Sequence, residues 1–520
     1  MPWKLCNIAV WTAVTGCGNC KKSKNWGWAG QTLSDVVFCM RCGFIPSIWN
    51  FGKEGSDSLV RENKITEGVI WKHLLAFFFP ILLGTFFQQL YNTVDAIIVG
   101  NFVGTQALAA VGGATGTIIN LLVGFFVGLS AGATVIISQY YGARRARETS
   151  QAVHTSVAMG IAGGLLFMVL GMLISPWALR AMGTPEDVME PAVTYIEIYF
   201  GGMVFNLLYN MGSGILRAVG DSKRPLYFLI LCTVLNLVLD LLFVPVFHWG
   251  VAGVAIATIV SQAVSAILIL VILMFSDDVY RLHWKEVRVD FYILRNIIQI
   301  GLPAGLQSVM YNVSNIIIQS TINTFGTNTV AAWTAYGKID GLFWMIMGAF
   351  GTSVTTFSGQ NFGAQKYDRI RKSVRICTVM AMGTAFLLST VLYFWGSYVY
   401  QLFSSDSKVI EIGMEILHTM VPFYFTYVCI EILSGTMRGT GDSLIPMIIT
   451  GVGICVLRVV WIFVAAPLWP GIQSVIISYP ITWAFTSILF IIYYLQGGWL
   501  RKRITRMGFA PEVRQKHGKG

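Results

Sequence analysis

Ser213-Gly214-Ile215-Leu216-Arg217-Ala218-Val219-Gly220-Asp221-Ser222-Lys223-Arg224-Pro225 recurs 221 positions later as Ser434-Gly435-Thr436-Met437-Arg438-Gly439-Thr440-Gly441-Asp442-Ser443-Leu444-Ile445-Pro446. Identities at Ser-Gly, Arg, Gly-Asp-Ser and Pro fix the register. The same offset lays Gln139-Tyr140-Tyr141-Gly142-Ala143 over Gln360-Asn361-Phe362-Gly363-Ala364. Pro80 pairs with Pro303 at nearly that offset, and Gly104-Thr105 with Gly326-Thr327. The chain is therefore two copies of one unit in the same order. In each copy Ser-Gly-x-x-Arg ends a helix, where the Arg can meet the last helical carbonyls and lipid headgroups. Gly-Asp-Ser supplies a turn and an N-cap, and Pro suits the next helix start because its missing N–H is an orphan position. Pro80 and Pro303 fall inside apolar runs, where each is expected to kink a helix.

The 520 residues are 55% hydrophobic and only 12% charged, against roughly 25% charged for a soluble domain. Disorder is excluded by the same hydrophobicity. The charges are bunched, leaving 73–94, 96–143, 149–179, 241–276, 296–337, 376–405 and 459–500 without any. A hydrocarbon core about 30 Å thick needs roughly 20 helical residues. Gly and Pro punctuation then divides the chain into twelve spans near 74–99, 108–137, 152–175, 191–215, 225–246, 251–275, 295–322, 330–357, 375–396, 412–436, 445–466 and 475–496. A β-barrel is excluded because its strands would alternate polar and apolar residues. The expected fold is an all-α polytopic membrane protein whose twelve transmembrane helices form two pseudo-symmetric six-helix bundles. Residues 65–276 and 295–497 form the two lobes, 277–294 the linker between them, 1–64 an extension and 498–520 a basic tail. Six is even, so both copies start from the same side and the pseudo-twofold axis lies along the membrane normal.

Loops after spans 2, 4, 6, 8 and 10 contain Arg144, Arg145, Arg147, Arg217, Lys223, Arg224, Arg281, Lys285, Arg288, Arg295, Lys366, Arg369, Arg371, Lys372, Arg375 and Arg438. The other six loops contain only Arg180 and Lys408. The positive-inside rule makes the first set, and both termini, cytoplasmic. The net charge of +11 is spent on orientation, so no nucleic-acid partner is expected.

With these features in place, the sequence resembles the multidrug and toxin extrusion (MATE) transporters, and within them the DinF-like bacterial branch. The residues that carry the likeness are Phe79-Pro80 with Gln88, Leu90-Tyr91-Asn92 and Val94-Asp95 in span 1. Leu-Arg-x-x-Gly-Asp at 216–221, its counterpart Met-Arg-x-x-Gly-Asp at 437–442, and Asn236-x3-Asp240 in span 5 add to it. The likeness covers about 65–500. It implies V-shaped lobes and a monomeric antiporter in a bacterial plasma membrane. Such a protein exports organic cations or amphipathic compounds in exchange for H⁺ or Na⁺.

A carboxylate at mid-bilayer costs about 2.5–3.5 kcal/mol, so each one asks for a reason. In the first half the acids singled out are Asp95 and Asp240. At 1.5 Å per residue, Asp95 lies roughly 30 Å along span 1 and Asp240 roughly 22 Å along span 5, both in the outer half of the lobe. Asn236 sits one turn below Asp240 on the same face, and Thr258 on the returning span 6 is at a comparable level. These groups can hold a proton or Na⁺, and two carboxylates in one pocket cannot both ionise cheaply. The second copy places Trp461 opposite Asp240, Leu457 opposite Asn236 and Ile318 near Asp95, so the acids belong to one lobe. The resemblance implies the same set, Asp95, Asn236, Asp240 and Thr258, as the cation site. Gln89, Asn92, Asn206, Tyr209 and Asn210 are expected neighbours or interhelical hydrogen-bonders.

The second half holds Lys338 and Asp340 in span 8, Glu431 in span 10 and Arg458 in span 11. Asp340 and Arg458 both fall near mid-depth and are expected to pair, since an unpaired buried charge is costlier. Glu431 is either a further acidic partner or a substrate contact. Met203, Phe205, Tyr209, Tyr311, Met345, Met347 and Tyr424 are candidates for lining a substrate path, their side chains being adaptable and polarizable.

Cys17-x2-Cys20-x18-Cys39-x2-Cys42 has zinc-ribbon spacing, but the segment between is basic and Trp-rich. A zinc knuckle, a lipoprotein-like signal around Val14-Thr15-Gly16-Cys17, and an extension preceding a start near residue 60 all remain open. No cofactor and no catalytic set is expected: there is no Gly-x4-Gly-Lys-Ser/Thr loop and no nucleophile–base or metal spacing on one face. A flippase for lipid-linked oligosaccharide or peptidoglycan precursors is the alternative transporter. It would need a cationic cavity, and the first lobe's spans have acids instead.

Overall fold

The computed structural model describes residues 64–469 and 471–506. The four cysteines with zinc-ribbon spacing lie outside the described residues. Twelve long helical segments follow one another: spans 1 to 6 are Ile70–Phe102, Thr105–Gly142, Ala146–Ala181, Glu186–Ala218, Lys223–Phe243 and Gly250–Met274. Spans 7 to 12 are Phe291–Asn323, Thr327–Gly363, Tyr367–Gln401, Ser407–Gly439, Leu444–Val464 and Ile472–Gln496. Ten are long and apolar enough to cross a membrane, counting the bent pair of span 4 as one. Spans 7 and 8 are long enough, at 33 and 37 residues, but more polar. Every span in the sequence reading has its helix. Several helices run past the expected ends, because their last turns carry the loop motifs beyond the apolar stretch.

Pro80 and Pro303 lie within single helices. Span 4 is broken, turning by 48° between Glu186–Gly201 and Met203–Ala218. Span 10 is interrupted at the equivalent place by a single 3-10 turn, Val421–Phe423, built on Pro422. The repeat extends to the backbone. Gly220 and Gly441 adopt φ of 106° and 93°, while Arg144 and Gln365 adopt 56° and 58°. The glycines make the Gly-Asp turn available without a Cβ penalty.

Each copy's first helix begins in the other copy's core. Ile70, Leu74, Phe77 and Phe78 of span 1 join the cluster formed by spans 8 to 12, and Phe78 stacks on Phe350 at 4.2 Å. Ile293, Ile297 and Ile300 of span 7 join the cluster of the first bundle. Spans 2 and 7 meet backbone to backbone. A Cβ at Gly301 would lie 2.6 Å from Leu129 O, one at Gly305 2.7 Å from Phe125 O, and one at Gly128 would strike the Gly305 backbone. Small residues at i, i+4 spacing allow this approach.

The seam continues to the cation-rich face, where the even-numbered loops lie. Gln139 Nε2 donates to Gly439 O at 2.8 Å, and Gln360 Nε2 to Ala218 O at 2.6 Å. The recurrent Gln thus caps the end of the opposite copy's Ser-Gly-x-x-Arg helix. The segments leading into spans 1 and 7 are also clamped across. Arg369 donates to the carbonyls of Ile65, Glu67 and Gly68, and Lys366 to that of Thr66. The linker is held by His283 N–H on His154 Nε2 at 3.0 Å and Asp290 N–H on Thr155 Oγ1 at 3.2 Å.

Candidate cation site and interlobe cleft

Asp95, Asn236, Asp240 and Thr258 come together between spans 1, 5 and 6. Asp240 and Asn236 are fully buried, Thr258 and Asp95 nearly so. Thr258 Oγ1 reaches Asp95 Oδ2 at 3.5 Å, and the Asp240 and Asn236 side chains lie close enough to Asp95 to interact with it. Tyr195 stands beside both carboxylates. Yet Asp95 Oδ1, both Asp240 oxygens, both polar atoms of Asn236 and Ser261 Oγ are buried without a protein hydrogen-bond partner. Leaving such groups unsatisfied is costly. The donor set is all oxygen apart from one amide nitrogen, and two of its members are carboxyls. That donor chemistry fits a proton or a hard monovalent cation.

The remaining candidates separate. Gln89 and Asn92 are exposed on span 1, with Asn92 Nδ2 at 3.5 Å from Gln89 Oε1. Asn210 donates to Asn206 O and Oδ1 within span 4. Tyr209 turns away to Pro225 O. Glu431 is half-buried, accepts from Tyr427 at 3.2 Å and lies against Gly351.

Asp340 and Arg458 do not form the expected ion pair. Asp340 accepts from the Tyr424 and Tyr336 hydroxyls at 2.6 and 3.1 Å and from Trp344 Nε1 at 2.6 Å. Arg458 donates to Thr482 Oγ1 at 3.0 Å and stacks 3.8 Å from the Tyr479 ring. Each charge has its own partners, aromatic donors for Asp340 and a threonine and a tyrosine ring for Arg458, which matching depths along two helices do not foretell. Met203, Met347 and Tyr424 are buried in cores and cannot line a path. Phe205, Tyr209, Tyr311 and Met345 remain partly exposed.

Two features escaped the sequence reading. Glu197 is a third acid inside the first lobe's spans, half-buried in span 4. Its position in a helix otherwise acidic only near its start was the available signal. His154, His283 and Glu286 converge at the cation-rich face, although 129 residues separate the two histidines. His154 Nδ1 meets Ser150 O at 2.7 Å and its Nε2 accepts the His283 N–H. With both ring nitrogens used, the cluster anchors the linker.

The glycine seam and its cross-lobe hydrogen bonds lie toward the cation-rich face. Beyond Gly124, which faces Ser308, Asn120 of span 2, Asn315 and Asn323 of span 7, Thr334 and Lys338 of span 8, and Gln88, Gln89 and Asn92 of span 1 are exposed. These polar walls contrast with span 9, where Val379 and Phe394 are 71% and 70% exposed. By polarity, the first set is assigned to a wet cleft between the lobes and the second to lipid.

The MatE family profile matches residues 80–242 and 303–464, once in each copy. The chain is 28% identical over 463 residues to "Probable multidrug resistance protein YoeA" of Bacillus subtilis, covering 87% of this chain and 98% of that one. It is 29% identical over 445 residues to "Probable multidrug resistance protein YpnP" of the same organism, covering 84% and 97%. Its fold is similar, with a TM-score of 0.78 and 24% identity, to a structure described as the outward-facing conformation of a multidrug resistance MATE family transporter. That likeness covers 86% of this chain and 99% of that one.

Proposed function

We propose, for a chain that belongs to the MatE family of multidrug and toxin extrusion transporters, that it works as a secondary active antiporter. It exports amphipathic organic compounds in exchange for H⁺ or Na⁺. The observation that carries this reading is the buried pocket of Asp95, Asn236, Asp240 and Thr258, in which one Asp95 oxygen, both Asp240 oxygens and both polar atoms of Asn236 lack protein hydrogen-bond partners. An incoming cation supplies what the pocket lacks.

The cation-rich loops and both termini are assigned to the cytoplasm of a bacterial plasma membrane by the positive-inside rule. The cleft then opens outward and the Gln139–Gln360 seam closes the cytoplasmic side. Cation binding from outside draws spans 1, 5 and 6 together, which narrows the first lobe's wall of the cleft and expels the compound held there. Each copy's first helix starts in the other's core, so a shift of span 1 is felt in both lobes, and one chain suffices for the cycle. A flippase for pyrophosphate-linked sugars would need several cations in the cleft, and its walls offer one lysine.

In proteoliposomes, dye export is expected to follow an imposed pH or Na⁺ gradient, tested separately. Asp240→Asn is expected to abolish that export with expression intact. Export by this variant at the unsubstituted rate would overturn the assignment.

A further inference from the structure

The charge of the cleft is set by the second lobe. Ser308, Asn312, Asn315, Gln319 and Asn323 recur at i+3 or i+4 along span 7 and so share one face. The other side of that helix carries Leu302, Leu306, Val313 and Ile316, each 40–44% exposed. Span 8 buries Tyr336, Ile339, Asp340, Phe343 and Met347. Helical geometry puts Thr334, Lys338, Gly341 and Met345 on its opposite side. Nothing lies within 4 Å of a Cβ placed at Gly337, Gly341 or Gly348, so this side borders open space. Lys338 is exposed, roughly 16 Å from the end of the helix. A lysine facing hydrocarbon at such a depth would cost about 2.5–3.5 kcal/mol, so it faces the wet cleft.

Lys338 makes no ion pair among the described residues. On span 10, which packs on span 8, Glu415 accepts from Gln473 at 2.6 Å and Glu411 makes no ion pair with Lys338. Asp95, Asp240 and Asp340 are all buried, and Asp340 has its three donors. Glu431 accepts from Tyr427 and lies beside Gly351, further toward the cation-rich end. Glu197 lies on the half of span 4 that packs with spans 2, 3 and 6. Around Lys338 the named polar groups are neutral amides and a hydroxyl, and Lys338 is a cation without an ion pair among the described residues.

We infer that the cleft selects amphiphiles with a single anionic headgroup, such as a carboxylate, and that Lys338 is the specificity-determining residue. The amides of Asn312, Asn315 and Gln319 accept and donate to the polar remainder of the compound. Permanent organic cations are disfavoured by repulsion from Lys338. This inference rests on the reading of the cleft as the substrate path.

The test is equilibrium binding of two dyes of similar size, anionic fluorescein and cationic rhodamine 6G, to the purified full-length protein without any ion gradient. The unsubstituted protein is expected to bind fluorescein about tenfold more tightly, the scale of one charge contact in a partly wet site. Lys338→Gln should level the preference and Lys338→Glu should invert it, with size-exclusion profiles unchanged. An unaltered ratio in Lys338→Gln, a preference for rhodamine in the unsubstituted protein, or binding of neither dye would overturn the inference. Loss of gradient-driven export would instead count against the antiport reading, since binding needs no gradient.

Discussion

Asp240 and Asp340 are both carboxylates buried within the membrane spans, and their surroundings are opposite. Asp340 meets two phenols and an indole, whereas neither oxygen of Asp240 has a protein hydrogen-bond partner. Both sit in helices of one repeated fold, so architecture does not decide the difference. The first lobe faces its acid with a second acid, an amide and a hydroxyl. The second lobe surrounds its acid with aromatic donors. On the proposed reading, the satisfied acid belongs to the scaffold and the unsatisfied one is completed by the transported cation.

The largest effect should come from removing the unsatisfied member. Asp240→Asn is expected to lower gradient-driven dye export by about a hundredfold or more, the scale of losing one essential charged contact. Thermal stability should hold or rise, because a buried charge without donors is removed. Asp340→Ala should do the reverse. It strands Tyr336, Tyr424 and Trp344 without their acceptor and is expected to cost about 3 kcal/mol of stability. Export per folded molecule should stay within a few-fold. Unfolding curves and transport assays on both variants read the contrast directly, and matched losses of export would erase it.

The sequence carried the fold because its signals are one-dimensional. Apolar run length, loop charge and a 221-residue offset do not depend on which way a side chain points. The pocket of Asp95, Asn236, Asp240 and Thr258 was legible for a similar reason, since depth along a helix follows from residue count. Facing direction was not legible. Met203, Met347 and Tyr424 are buried where an open cavity was expected, because their neighbours in the bundle decide which side of the helix is inside. The Asp340–Arg458 pair failed on the same ground: two residues at one depth were each claimed by nearer aromatic partners. The His154–His283 contact and the Arg369 clamp on residues 65–68 join segments far apart in sequence, and no local pattern announces them.

A second contrast lies in how the lobes touch. Spans 2 and 7 meet through glycines, whereas spans 1 and 8 meet through the Phe78–Phe350 stack. Gly128→Val would force the Gly305 backbone away and is expected to cost about 1–3 kcal/mol. Phe78→Leu should cost less, about 1 kcal/mol, because a side-chain contact can repack. Chemical denaturation of the two variants ranks them, and equal costs would mean that the glycine seam is more yielding than its close approach implies.

The smallest effect tests the symmetry itself. Gln139 and Gln360 cap equivalent helix ends in opposite lobes, at 2.8 and 2.6 Å. Each bond crosses the seam that must part when the cleft faces the other way. Alanine at either position removes about 1 kcal/mol from the closed seam, which should raise the open population roughly fivefold. Alkylation of a cysteine placed at Ser138, fully buried and facing Gly359 across the seam, reports that population. Equal acceleration by Gln139→Ala and Gln360→Ala would mean that the seam opens as one symmetric unit, with the asymmetry of the molecule confined to the acid pocket and to Lys338. If Gln360→Ala acts much more strongly, the Arg369 clamp beside it shares the load, and the second lobe holds the first closed.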